Sequence, residues 1–163
     1  MTIMESKLRT LHALLKEIQR ERRRGAKVVF TNGCFDLLHV GHVRLLEKAK
    51  RLGDILIVGL NTDGSVRKLK GPSRPVNPAR ARAEVLSALA AVDHVVLFSE
   101  KTPERLIRRI RPDVLVKGGD WEKKQIVGSR FVESYGGKVF RFPAVQGFST
   151  TGLLECSREA HGH

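Results

Sequence analysis

Apolar positions along this 163-residue chain alternate between helical spacing and short unbroken runs. Leu8, Leu11, Leu14, Leu15 and Ile18 recur three and four apart, which predicts an amphipathic helix over residues 5 to 24 that ends near Gly25. Val28 to Phe30 is a buried-strand run that empties into the turn dipeptide Asn32-Gly33. Val43, Leu45, Leu46, Ala49 and Leu52 mark a helix closed by Gly53, with Lys48, Lys50 and Arg51 in its last turns, where cations suit the dipole. Ile55 to Leu60 is apolar on both faces, as in the middle of a parallel sheet, and Asn61-Thr62-Asp63-Gly64 reads as its closing turn. Residues 67 to 78 carry so much Pro, Gly and cationic charge that they read as a mobile basic loop. A helix is predicted from Ala79 to Ala91 with Val85, Leu86 and Leu89 inward, then a strand His94 to Phe98. The next helix has Thr102 as its cap, Pro103 at its first position and Pro112 as its stop. Asp113 to Val116 is a fourth strand, Ile126 to Tyr135 a helix stopped by Gly136-Gly137, and Lys138 to Phe142 a fifth strand. A last helix of about eight residues follows Phe148-Ser149-Thr150-Thr151.

Strands alternating with helices over the whole length predict an α/β fold: one domain with an open parallel sheet, Rossmann-like, joined by right-handed crossovers. Residues 1–25 form an N-terminal helix packed on a domain of residues 26–163. Ligands of such sheets bind beyond the carboxyl ends of the strands, where the strand order reverses. The unusual polar sequences fall at those ends: Thr31 to His42, Asn61 to Arg74, Lys117 to Trp121 and Gly147 to Thr151. These four loops are expected to converge on one cleft.

Hydrophobic residues at 41% are enough for a core without staples, and Cys34 and Cys156 read as isolated thiols. No stretch approaches the roughly 18 apolar residues of a membrane span, and no signal-peptide core is present, so a cytoplasmic protein is expected. Charge changes the picture more. A net charge of +13 favours phosphorylated metabolites or nucleic acid as partners. The run Arg20 to Arg24 is either the exposed end of a packing helix or a docking site for a polyanion. One Trp, one Tyr and seven Phe, most of these in apolar strands or beside the motifs, leave little for stacking on nucleic-acid bases.

A strand end, a glycine turn and a helix start together supply backbone N–H donors and a positive dipole end for an anion. His39 and His42 stand three apart at this point and share a face of the first helical turn. Phosphate donors, a metal pair, and a capping or packing role all fit that spacing. No third and fourth ligand stands nearby at zinc-like spacing, Cys34 being the one neighbouring thiol. Gly41 between them argues for a close approach to the backbone.

His39-Val40-Gly41-His42, preceded by Thr31-Asn32-Gly33-Cys34-Phe35-Asp36, resembles the His-x-Gly-His signature of the nucleotidyltransferases, which include cytidylyltransferases and class I aminoacyl-tRNA synthetases. The chain is too short for a synthetase. Lys70-Gly71-Pro72-Ser73-Arg74-Pro75-Val76-Asn77, Val116-Lys117-Gly118-Gly119-Asp120-Trp121 and Gly147-Phe148-Ser149-Thr150-Thr151 resemble the adenylyltransferases of ADP-heptose synthesis. The likeness runs from about residue 27 to 155. It implies that ATP and D-glycero-β-D-manno-heptose 1-phosphate give ADP-heptose and pyrophosphate, a step toward bacterial lipopolysaccharide. It also implies Mg²⁺ carried mainly on the ATP phosphates, a possible homodimer, and a separate heptose kinase, since a sugar kinase often precedes this domain in the family.

The chemistry needs positioned cations and N–H groups more than a strong base, because the sugar phosphate is already a nucleophile. By the resemblance, His39 and His42 donate to the α- and β-phosphates and Lys70 acts with them. Thr31, Asn32, Gly33, Cys34, Phe35 and Gly41 take the nucleotide with Lys117, Gly118, Gly119 and Asp120, and Ser149, Thr150 and Thr151 cradle a phosphate. Asp36, Asn61, Lys68, Arg74 and Arg82 fall to the second substrate, Asp36 by fixing the turn around Asn32 and Gly33 or, alternatively, by touching magnesium. Ordinary readings stand beside these: loop charge for Lys68 and Lys70, a cap for Asp120, a helix N-cap for any one of Ser149, Thr150 and Thr151. Related cytidylyltransferases carry an Arg and an acid before the Ser-Thr-Thr segment, where this chain has Ala144-Val145-Gln146. That weakens the rival reading of CTP with glycerol 3-phosphate; a flavin nucleotide synthase and a basic nucleic-acid-binding module are the others.

Overall fold

In the computed structural model, which describes residues 2–119, 122–145, 147 and 152–154, the N-terminal stretch is two helices and a strand where one helix was expected. Thr2 and Glu5 form a capping box that starts α1 (Ile3–Lys7). The chain then extends as β1 (Leu8–Arg9), and Thr10 caps α2 (Leu11–Arg22) by accepting from the N–H of Ala13. Two threonine caps eight residues apart each begin a helix, and the stretch between them pairs with a distant strand. Gly25, at φ 87°, makes the turn out of this unit, which only a residue without Cβ adopts freely.

Then come β2 (Val28–Gly33), α3 (Val40–Lys50) and β3 (Ile55–Asn61), the last buried at every position. The expected turn at 61–64 is the start of α4 (Asp63–Lys70), with Thr62 in the cap position. Asp63 lies in its first turn and Arg67, Lys68 and Lys70 in its last, each charge matched to the dipole end it sits on. Buried Ser65 and Val66 supply its inner face, too short an apolar stripe to show in the periodicity. The loop therefore shrinks to Gly71 to Pro78.

In α5 (Ala79–Ala88), Leu86 points inward as expected but Val85 is half exposed, and Arg82 takes the inner position. β4 (His94–Phe98) precedes α6 (Glu104–Ile110), which Pro103 rather than Thr102 caps and which Arg111 closes in a left-handed conformation. After β5 (Val114–Gly118) a 3₁₀ turn (Lys123–Gln125) precedes the expected helix, whose first three residues form a turn, leaving α7 as Ser129–Ser134. β6 (Lys138–Phe142) has the bounds read from the sequence. Of the expected last helix, residues 152–154 are described and are helical.

All strand pairs are parallel, in the order β1-β4-β3-β2-β5-β6, so the expected open parallel sheet gains a sixth strand at its edge. Leu8 pairs with Val95 and Arg9 with Val96. Strand residues alternate between two cores. Phe30, Ile57 and Leu115 pack with Leu14, Ile18 and Ile107 of α2 and α6. Val29, Leu56 and Val58 pack with Leu46 and Leu86 of α3 and α5. Each fully buried side chain of this size contributes about 2–3 kcal/mol. The chain grows outward from β2 through β3 and β4, then returns to β5 on the other side of β2. The strand order thus reverses between β2 and β5, and that gap opens the sheet's ligand crevice.

Candidate active site

Two clefts open at this reversal and share a wall made by Asn32 and Gly33 of β2, Cys34, Phe35, His39 and His42 after it, and Lys117 and Gly118 of β5. The larger, about 640 Å³, runs past Asp36, Asn61, Lys70 and Arg74. The smaller, about 260 Å³, runs under Gly41, Arg44 and Leu45 to Gly119 and the stretch Phe142 to Val145. A wall common to two cavities is where two bound molecules would touch.

His39 occupies the cap position of α3 with no side-chain capping bond. Its ring stacks on His42, centroids 3.9 Å apart at 28°, and His42 in turn meets Phe35 at 5.1 Å. Phe35 holds φ 43°, a left-handed backbone that an L side chain adopts at a cost. The close approach expected at Gly41 is made by His39 itself: a Cβ there would lie 2.9 Å from His39 Nδ1. Burial, with repulsion from His39 second, pulls the His42 pKa down to about 4, and burial lowers that of His39 as well. Both rings are neutral near pH 7, and each then offers one N–H as a donor. Among the described residues no group of three or more His, Cys, Asp or Glu stands close enough together to hold a metal ion.

Lys117 donates from Nζ to the carbonyl of Asn32 at 3.4 Å. Burial lowers its pKa; Cys34 opposes and the Lys70 charge adds to the lowering. Burial pushes the Cys34 thiol up against nearby cations, so it is protonated at neutral pH. Cys34 is unpaired, and Cys156 lies outside the described residues.

Asp36 does not brace the turn at Asn32. Its carboxylate, 1% exposed, accepts from the N–H groups of Val76 and Asn77 and from Arg74 Nε at 2.6 Å, which ties the loop after α4 to the loop after β2. Burial alone would raise its pKa, but the bonds from Asn77, Val76 and Arg74 win and hold it below the usual carboxylate range.

Arg82 is likewise a strut. Fully buried, it donates to the carbonyls of Asn77 and Cys34 and to Asp63, so all three ends of its guanidinium are spent on protein, and the expected direct contact with substrate is replaced by support from behind the wall. Asn61 lines the larger cleft, with its amide committed to Ser65 Oγ. Lys68 is exposed on α4 and lines neither cleft, and Thr31 is buried beneath the wall. Asp120, Ser149, Thr150 and Thr151 lie outside the described residues.

The larger cleft also takes in Lys101, Thr102 and Pro103 from the β4–α6 loop and Gln125 to Val127. No motif in the sequence singled these out as site residues. The β4–α6 loop follows a strand's carboxyl end like the other loops, and that position was the one signal that pointed to it.

A family model described as cytidylyltransferase-like matches residues 30–143. The chain is 56% identical over 151 residues to the bifunctional protein HldE of Syntrophotalea carbinolica, covering 93% of this chain and 31% of that protein. It is 51% identical over 158 residues to the bifunctional protein HldE of Geobacter metallireducens, covering 97% and 32%. The chain thus spans about a third of the length of the curated relatives it matches. Among solved structures, the lipopolysaccharide core biosynthesis protein of Thermoplasma volcanium superposes with a TM-score of 0.64 at 27% identity, covering 75% of this chain and 100% of that one. The pantoate-beta-alanine ligase of Francisella tularensis, at 15% identity, 96% and 78% coverage and a TM-score of 0.59, shares the fold.

Proposed function

We propose that this chain, which belongs to the cytidylyltransferase-like family, is an adenylyltransferase that joins ATP to D-glycero-β-D-manno-heptose 1-phosphate, giving ADP-heptose and pyrophosphate. The observation that carries the reading is the pair of clefts meeting on one wall of neutral histidines, glycines and a half-buried lysine. The choice of nucleotide and sugar is supported by the resemblance of the Lys70 to Asn77 and Val116 to Trp121 segments to heptose 1-phosphate adenylyltransferases. The HldE relatives and the likeness to the Thermoplasma lipopolysaccharide core biosynthesis protein support it further.

In the proposed reaction an oxygen of the sugar phosphate forms a bond to the ATP α-phosphorus, and the bond from that phosphorus to the bridging oxygen breaks with pyrophosphate leaving. No proton has to move. The nucleoside takes the smaller cleft, where Gly118 and Gly119 leave the backbone bare, and the sugar phosphate takes the larger one against Lys70 and Arg74. His39 and His42 donate at the junction, where charge grows on the α-phosphate and the leaving group; one such donor is worth about 3 kcal/mol. Lys117, half-buried beside them, is partly shielded from water, so its charge counts for more there than it would on the open surface.

The carboxylates nearby are engaged, Asp36 by Arg74 and Asp63 by Arg82, which fits a Mg²⁺ ion held through phosphate oxygens and water. Bound that way, the ion neutralises phosphate charge. Among the described residues no helix is long and apolar enough to cross a membrane, and the reaction proposed belongs in the cytoplasm, where ATP is available. A separate heptose kinase upstream belongs to the same reading.

Pyrophosphate release from a matrix of ATP or CTP against heptose 1-phosphate, glycerol 3-phosphate and FMN tests the reading. Turnover is expected with ATP and heptose 1-phosphate. Its absence there, with turnover in another pair, reassigns the substrate.

A further inference from the structure

The two ends of the larger cleft differ in chemistry. The end at the shared wall is cationic and imidazole-rich, with Lys70, Arg74 and the histidines. The other end has Lys101, Thr102 and Gln125, all exposed, above the nearly buried side chains of Phe98 and Ile126. A hydroxyl, an amide and an ammonium over an apolar floor suit a polyol, which presents hydroxyl edges and a C–H face and carries no charge of its own. We propose that this far rim is the subsite that reads the sugar hydroxyls remote from the phosphate, and that Lys101, Thr102 and Gln125 set which sugar is accepted. The inference rests on the assignment of this cleft to a sugar phosphate.

The rim is tied to the phosphate end by buried bonds. Asn61 Nδ2 donates to Ser65 Oγ at 2.8 Å, and Ser65 Oγ donates to the carbonyl of Glu100 at 3.2 Å. The N–H of Thr62 donates to the carbonyl of Phe98 at 3.0 Å. The Glu100 carboxylate accepts from its neighbour Ser99 N–H and from Arg105. The loop that carries Lys101 and Thr102 is therefore moored to the start of α4, the helix whose last residue is Lys70. One helix thus holds the phosphate cation and, through Ser65, the rim. A subsite preorganised in this way rejects an analogue lacking a hydroxyl, because the site's own polar groups are left unpaired.

The test compares heptose 1-phosphate with mannose 1-phosphate, the hexose that lacks the terminal carbon and its hydroxyl, in wild type and in Lys101→Ala, Thr102→Val and Gln125→Ala. All three positions are exposed, so the variants are expected to fold. At least one should lower kcat/KM for the heptose about tenfold and lower it less for the hexose, with KM for ATP unchanged. An unchanged selectivity ratio in all three, or a rise in KM for ATP equal to that for the sugar, overturns the proposal. If the wild type consumes neither sugar phosphate, the reaction assigned above fails by itself. The rim is then tested on whichever acceptor phosphate the wild type does consume: a rise in acceptor KM alone supports it, and no change overturns it. If no acceptor turns over, calorimetry with heptose 1-phosphate decides: binding weakened in at least one of the three variants supports the proposal, and binding that is absent in wild type or unchanged in all three overturns it.

Discussion

Two polar regions that meet at the loop after β2 are built on opposite terms. At the edge of the larger cleft and behind it, Asp36 pairs with Arg74 and Asp63 with Arg82: each carboxylate meets a guanidinium, and further bonds from these groups go to backbone. In the wall the buried Nδ1 atoms of His39 and His42, and beneath it Oγ1 of Thr31, have no hydrogen-bond partner among the described residues. The network behind the wall is thus satisfied by the protein's own groups, while the wall keeps polar atoms that no protein group takes. In a chain of +13 charge, cation count thus says little about which positive groups serve a ligand. Arg82 is among the most deeply buried and serves the fold; the neutral histidines sit where the phosphates would meet.

The contrast breaks most visibly at Arg82. Arg82→Met should cost about 3–5 kcal/mol, because Asp63 and two carbonyls lose their partner, and should lower Tm by roughly 10 °C. An unchanged Tm in a thermal melt would take Arg82 off the structural side. His42→Gln should instead fold as wild type at pH 7 and lose about a hundredfold in kcat, read by pyrophosphate release.

The same variant reports on pH. The unfolded imidazole protonates near 6.5 and the folded one only near 4. The unfolded state therefore binds more protons between those values, so wild-type stability is full above pH 6.5 and is lost as pH falls toward 4. Denaturant melts at about pH 7 and pH 5 should show a smaller loss in His42→Gln than in wild type. The smallest effect belongs to Gly41→Ala: the new Cβ must displace the His39 ring while alanine favours the helix by about 1 kcal/mol, so kcat should fall about tenfold with Tm unchanged or slightly raised.

Much of the frame was legible because it rests on local patterns. The apolar run Ile55 to Leu60 announced a strand covered on both faces, and Lys138 to Phe142 gave its bounds from composition alone. The alternation of such runs with helical periods was enough for a parallel α/β sheet. The rule that ligands gather at strand ends led to the loop holding His39 and His42, to Lys70 and to Lys117, all of which line the clefts. The same rule applied to the end of β4 would have reached Lys101 and Thr102.

What stayed hidden depended on partners far away in the chain. Leu8 fits a helical stripe by spacing, yet it pairs with Val95, and nothing near it announces a strand. Arg82 and Arg74 look alike as basic residues near a loop; only the carbonyl of Cys34, 48 positions from Arg82, and the carboxylate of Asp36, 38 positions from Arg74, separate a buried strut from a cleft residue. The Gly41 position shows the division at its clearest. Sequence by itself determined that a residue without Cβ stands between two histidines at a helix start, since that is a matter of residue type and spacing. Tertiary structure decided that the space is filled by the His39 ring and that His42 is neutral, because burial and charge environment are sums over every neighbour the fold brings in.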